Sequence, residues 1–230
     1  MPRRVAVALL APPTWTPPGV EPVAWQVALA EDVLDVLATM VEVEAAVAVR
    51  TADAGLLSQI GWPGLRSYVL PALDVVTVFA AVAADGYDQA ALVAGDAPDL
   101  PGMLIAKLLR PLTTRPVAAA PAVGGPERDG EGSGWPEDLR PQDGEEAGDP
   151  ASFPAGLLGL SAALPAPGWL PRVGLDALTP QSLRKLAPRI TDVAPAAGWH
   201  RLRGPADLGR LDPRLEGWDA TRSLLSAPAR

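Results

Sequence analysis

The sequence predicts a single three-layer α/β/α domain built on a mainly parallel sheet. Short apolar runs alternate with stretches of helical periodicity in the order β-α-β-α. Those runs are apolar almost throughout, as strands covered by helices on both faces must be. The length of 230 residues suits one open α/β sheet with a substantial core, so residues 1–230 are read as one domain.

Residues 5–11 read as the first strand. A helix is expected over 25–41, because Leu29, Val33, Val36, Leu37 and Met40 recur at helical spacing while Glu31, Asp32 and Asp35 fall on other faces. Strands are expected at 43–49, 67–70, 90–94, 116–123 and 156–164. Between them lie helical stretches at 54–60, 72–84 and 101–112. Thr179-Pro180 offers an N-cap followed by proline at the first helical position, which starts a helix over 179–187. Further helical stretches are expected at 206–211 and 218–226.

Residues 124–150 break this pattern. They hold nine acidic residues against two arginines, a net charge of −7, while the whole chain carries −8. The acidity therefore belongs to one segment, which is rich in Gly and Pro, offers little to bury and reads as a surface loop inserted into the domain. Its acids lack the alternating ligand spacing of a calcium-binding loop.

Composition excludes several function classes. The absence of Cys removes disulfides, thiolate metal sites and cysteine nucleophiles. The single His, His200, argues against a zinc site or a Ser-His triad. Basic residues in 172–230 outnumber acids but are scattered without aromatic interleaving, so no nucleic-acid partner is expected. Arg3 and Arg4 precede the apolar run 5–11, yet that run is short and ends at Pro12-Pro13, unlike a secretion signal. No stretch approaches the roughly 20 apolar residues of a membrane helix, so neither a membrane nor a location other than the cytoplasm is expected.

The segment that carries chemistry is Ala91-Leu92-Val93-Ala94-Gly95-Asp96-Ala97-Pro98-Asp99-Leu100-Pro101. An apolar strand ends here in two carboxylates three residues apart, and a helix follows. Ligands of parallel sheets sit beyond the carboxyl ends of the strands, and carboxylates placed there suit Mg²⁺ or Mn²⁺ bridging phosphate oxygens. Backbone roles are the alternative: Asp96 closing a turn with Pro98, and Asp99 capping the next helix.

This segment resembles the G-(S/D)-D-x-P-D-L-P strand-end motif of glycosyltransferase-like relatives of 2-phospho-lactate guanylyltransferase, in the nucleotide-diphospho-sugar transferase (GT-A) superfamily. The resemblance implies a GT-A-like fold and a nucleotide or nucleotide-sugar partner. It implies Gly95, Asp96 and Asp99 at the cofactor, with Asp96 as the ligand of a Mg²⁺ or Mn²⁺ ion. Leu157-Leu158-Gly159-Leu160 and Pro205-Ala206-Asp207-Leu208-Gly209-Arg210-Leu211 are similar to two further family elements, the second to its terminal helix.

The chain also departs from that pattern. Family nucleotidyltransferases follow the first strand with a glycine-rich loop bearing Arg and Lys, whereas this chain has neither anywhere from Val5 to Val49. Where relatives carry a second metal-binding aspartate ahead of the terminal helix, this chain reads Leu202-Arg203-Gly204. Gly124-Gly125 only loosely echo the family's Asp-Gly-Gly element. The expected activity is glycosyl or nucleotidyl transfer, and the alternative is a binding or scaffold module that has lost turnover. His200, Trp15, Arg201 and Arg203 read first as packing or surface residues, with a base, a stacking platform and diphosphate contacts as their functional alternatives.

Overall fold

The computed structural model describes residues 2–60, 62, 64–123, 156–211 and 217–226. The expected acidic loop 124–150, Gly124 and Gly125 included, lies outside them. Seven strands form one sheet: β1 (Arg4–Leu9), β2 (Glu44–Arg50), β3 (Arg66–Leu70), β4 (Gln89–Ala94), β5 (Val117–Pro121), β6 (Leu157–Ala163) and β7 (Val193–Pro195). Their spatial order is β3-β2-β1-β4-β6-β5-β7. Strands β1 to β4 pair in parallel, β6 runs antiparallel between β4 and β5, and β7 pairs parallel to β5. The sheet is thus mixed and mostly parallel, as expected.

Helices cover both faces. Along β1 the side chains alternate between two cores: Val5, Val7 and Leu9 pack with α2 (Val75–Ala84), and Ala6 and Ala8 pack with α1 (Pro22–Ala38) and α3 (Gly102–Leu109). The α2 residues Val75, Val78, Phe79 and Val82 are fully buried, each stabilising the fold by about 1.5–3 kcal/mol. Two shorter helices complete the set, α4 (Pro180–Leu186) on the α2 side and α5 (Asp219–Ser226) beside α1. No helix among the described residues is long and apolar enough to cross a membrane.

Several boundaries differ from the sequence expectation, each for a local reason. Helix α1 starts three residues early, because the Glu21 carboxylate caps Ala24 N–H at 2.7 Å and Pro22 occupies the first turn. Helix α3 stops at Leu109 and tightens into a 3₁₀ turn over Arg110–Thr113, since Pro111 has no N–H to continue the α ladder. The stretches expected as helices at 54–60 and 206–211 are also 3₁₀, over Thr51–Ser58 and Pro205–Arg210. Strand β7 was not expected at all. It has three residues, one of them proline, too few for a period to register.

Asp32 is the sharpest correction. Helical periodicity puts it off the apolar face, yet it is buried, and its two carboxylate oxygens accept the Ala220 and Thr221 N–H groups at 2.9 and 2.8 Å. A side chain of α1 therefore satisfies the open first turn of α5 from 188 residues away. Burial raises the Asp32 carboxyl above its ordinary value, against the pull of these N–H groups. The folded chain then holds the proton where the unfolded chain has lost it, so the residue contributes less stability at neutral pH than in acid. Replacing Asp32 by Ala leaves two amides uncapped and is expected to cost about 1–3 kcal/mol, measured by urea unfolding, with α5 losing hydrogen-exchange protection before α1.

Candidate functional site

The carboxyl ends of β1 and β4 are neighbours, and the chain leaves them in different directions. From β1 it turns to α1 on one face and on to β2, while β4 is reached from β3 through α2 on the other face. A crevice opens at such a reversal of strand order, and ligands of open α/β sheets occupy it. Here it holds a cavity of about 370 Å³, within the range of small-molecule sites. Leu9 and Ala94 line it at the strand ends, Asp74 just before α2, and Arg172, Asp176 and Arg201 add its remaining charged lining.

Gly95 joins the two strand ends. Its N–H donates to the Leu9 carbonyl at 3.1 Å, and a Cβ at this position would lie 2.8 Å from that oxygen. Only glycine permits the approach. Asp96 follows with its side chain 14% exposed, and it meets the cavity through Arg201, which lines it.

Both Asp96 oxygens are engaged by one guanidinium. Arg201 Nε donates to Oδ1 at 2.5 Å and Nη2 to Oδ2 at 2.8 Å, a bidentate pair. Arg201 Nη1 donates further to the Leu157 carbonyl at 3.0 Å and to Asp176 Oδ1 at 2.6 Å. Arg203 also bonds Asp176 through Nη2, and its Nε stands 4.0 Å from Asp96 Oδ2. Burial works to lower the Arg201 pKa, but Asp96 and then Asp176 outweigh it and hold the group above its ordinary value. Arg203 shifts the other way, lowered first by burial and then by the nearby Arg201 charge. Arg201 is thus a buried member of the site, not the surface residue its sequence context suggests.

The path of the chain explains how residue 201 reaches residue 96. After β7 the backbone follows the end of β5, with Ala196 N–H on the Ala119 carbonyl and Val123 N–H on the Trp199 carbonyl. Gly198 passes so near Pro121 that a Cβ would lie 2.4 Å from its oxygen. Leu202 N–H then donates to the Asp96 carbonyl at 2.8 Å. Because β6 runs antiparallel, its first residue, Leu157, lies at this same edge and offers its carbonyl to Arg201.

Asp99 faces the protein interior. Its side chain has no exposure, Oδ1 accepts Trp199 Nε1–H at 3.1 Å, and His200 Nε2 lies 3.0 Å from Oδ2 without hydrogen-bond alignment. The Trp199 and His200 rings stack at 5.0 Å. Asp99 thus fixes the two residues immediately before Arg201. Asp207 works from the other end, accepting the Arg203 and Gly204 N–H groups at 2.9 and 3.0 Å.

The loop after β1 begins at the cavity, which Ala11 lines, and its Trp15 packs elsewhere. Trp15 meets Trp25 edge-on, with centroids 6.2 Å apart, in a cluster with Leu29, Leu202, Leu211 and Trp218. This is the packing role, and it ties the loop to the C-terminal segment.

With this geometry in view, the solved structures can be compared. Neither a protein-family model nor a curated protein matches the chain by sequence. A protein assigned as a nucleotide-diphospho-sugar transferase from Desulfovibrio desulfuricans G20 superposes over 97% of this chain and 95% of its own, with TM-score 0.57 and 16% identity. The 4-diphosphocytidyl-2C-methyl-D-erythritol synthase of Anaerococcus prevotii covers 90% and 94%, at 0.53 and 13%. The fold is the one these structures share. A third match, Rv0371c of Mycobacterium tuberculosis H37Rv in complex with manganese, covers 99% and 100% at 0.51 and 14% identity.

A divalent ion does not fit Asp96 as this chain arranges it. Both oxygens already bind a guanidinium, a second arginine is nearby, and no group of three or more His, Cys, Asp or Glu suited to a metal occurs among the described residues. A free metal-ligand carboxylate would tolerate amide replacement, because nothing in the fold leans on its charge. Asp96→Asn is instead expected to destabilise the protein by about 3–5 kcal/mol, the cost of taking the bidentate counter-charge from a buried guanidinium and leaving it only the half-exposed Asp176. Chemical denaturation of the two proteins measures the difference.

Proposed function

We propose that this protein binds a nucleotide or nucleotide-sugar in the crevice between the ends of β1 and β4. The observation that carries this reading is the cavity itself: apolar strand ends and arginines line it together, which is the mix a ligand with a flat base and an anionic diphosphate requires. The fold shared with the nucleotide-diphospho-sugar transferase and the 4-diphosphocytidyl-2C-methyl-D-erythritol synthase supports the same class of ligand. In this reading Gly95 sets the strand spacing, Asp96 orients Arg201, and Asp99 positions the segment that delivers it.

Of the two transfers open to this superfamily, glycosyl transfer suits the site better. Nucleotidyl transfer from a triphosphate builds charge on a departing pyrophosphate, and cations set against it lower the barrier in a site that excludes water. The loop after β1 supplies no Lys or Arg between Val5 and Val49, and Trp15 holds it in a hydrophobic cluster. That same loop favours a second reading, a binding or scaffold module without turnover.

Titration calorimetry with nucleoside diphosphates and nucleotide-sugars tests the binding claim, and failure of all of them to bind would remove it. Pyrophosphate release from the four ribonucleoside triphosphates, with Mg²⁺ or Mn²⁺ and phosphorylated acceptors, is expected to stay at background. Donor hydrolysis or sugar transfer separates the enzyme from the binding module.

A further inference from the structure

We infer that this site works without a divalent cation, because Arg201 has taken the position of the metal on Asp96. The inference rests on the proposed nucleotide-diphosphate ligand for its substrate class, while its metal arm stands on geometry alone. A metal ion on a strand-end carboxylate joins a fixed negative charge in the protein to the negative charge of a diphosphate. Arg201 has the same relation to Asp96: a permanent positive charge, bidentate to both oxygens, whose side chain is only 6% exposed and lines the cavity.

The surroundings are organised to keep that guanidinium in place. Four of its five N–H donors are committed, to Asp96 twice, to the Leu157 carbonyl and to Asp176. An arginine so fixed is oriented before a ligand arrives, like a metal in its coordination shell, and cannot be deprotonated. A divalent ion approaching Asp96 would meet Arg201 at contact distance and Arg203 at 4.0 Å from Oδ2, and like charges this close repel strongly in a partly buried site.

The charge needed for an anion then falls to Arg172. It lines the same cavity, is exposed, and has no ion pair or hydrogen bond among the described residues. The Asp96, Asp176, Arg201 and Arg203 charges sum to zero and Asp74 adds a further negative charge to the lining, so Arg172, with no ion pair or hydrogen bond among the described residues, is the cation left to meet an anion. It is placed to draw a diphosphate toward the remaining N–H of Arg201. The site assigned here is therefore a metal-independent diphosphate site, Arg201 at its base and Arg172 at its rim.

Two measurements test it. Mn²⁺ alone, followed by electron paramagnetic resonance of the free ion, is expected to show no saturable binding to the wild-type protein below about 1 mM. Saturable wild-type binding that Asp96→Asn abolishes would overturn the inference whether or not any nucleotide binds. In the second measurement, the four ribonucleoside diphosphates are titrated in EDTA and in Mn²⁺. Affinity within about twofold between the two is expected, and Arg172→Ala, an exposed change, is expected to weaken it by roughly tenfold, the loss of one charge-assisted hydrogen bond. Affinity that appears only with Mn²⁺, or is indifferent to Arg172, would overturn the inference. If no diphosphate binds in either condition, the proposed function fails while the Mn²⁺ result still decides the metal question.

Discussion

The parallel pairing of β1 with β4 is the constraint on which the rest of the molecule depends. Six residues of each strand are in register, from Arg4 with Gln89 to Leu9 with Ala94, and β4 is buried along its whole length. A strand hidden on both faces has to satisfy its backbone within the sheet. For β4 this means β1 on one side and the antiparallel β6 on the other. The first pairing opens the crevice and the second turns the start of β6 toward it.

Charge at that crevice is handled internally. Asp96 and Arg201 lie 105 positions apart in the sequence and neutralise one another in a partly buried position, with Asp176 and Arg203 completing a four-membered network. Buried ion pairs are weak devices for stability but strong ones for position, since each partner fixes where the other can be. The network therefore reads as a positioning element. It sets the direction of Arg201 relative to the cavity, and Asp99 and Asp207 hold the backbone on either side of it.

How much of this could be read in the sequence depends on the range of the interaction. The strands and longer helices were legible because burial on two faces writes continuous apolar runs, and burial on one stripe writes a helical period. The motif around Asp96 was legible because a strand followed by two carboxylates and a helix is a local pattern. Arg201 was not, since nothing near it in sequence distinguishes it from other arginines of the C-terminal third. Its partners are set by β6 running backwards and by β7, a strand of three residues, and neither strand direction nor so short a strand leaves a periodic trace. Asp32 was misplaced for the same reason: its burial comes from α5, far along the chain.

The separation between Asp96 and Arg201 has a consequence for the newborn protein. The two residues are 105 positions apart, and ribosomes add about 5–20 residues per second, so Asp96 emerges on the order of 5–20 s before its partner exists. For the first part of that interval, until Leu157–Ala163 is made, the half-sheet β3-β2-β1-β4 has an open edge where β6 belongs, and the strand-end carboxylate lacks Arg201 throughout it. Non-local contacts of this kind form late because their loops must close first. The N-terminal half thus spends its earliest seconds as an unfinished sheet with β4 open along one edge, which is the state a holdase chaperone on the ribosome would meet.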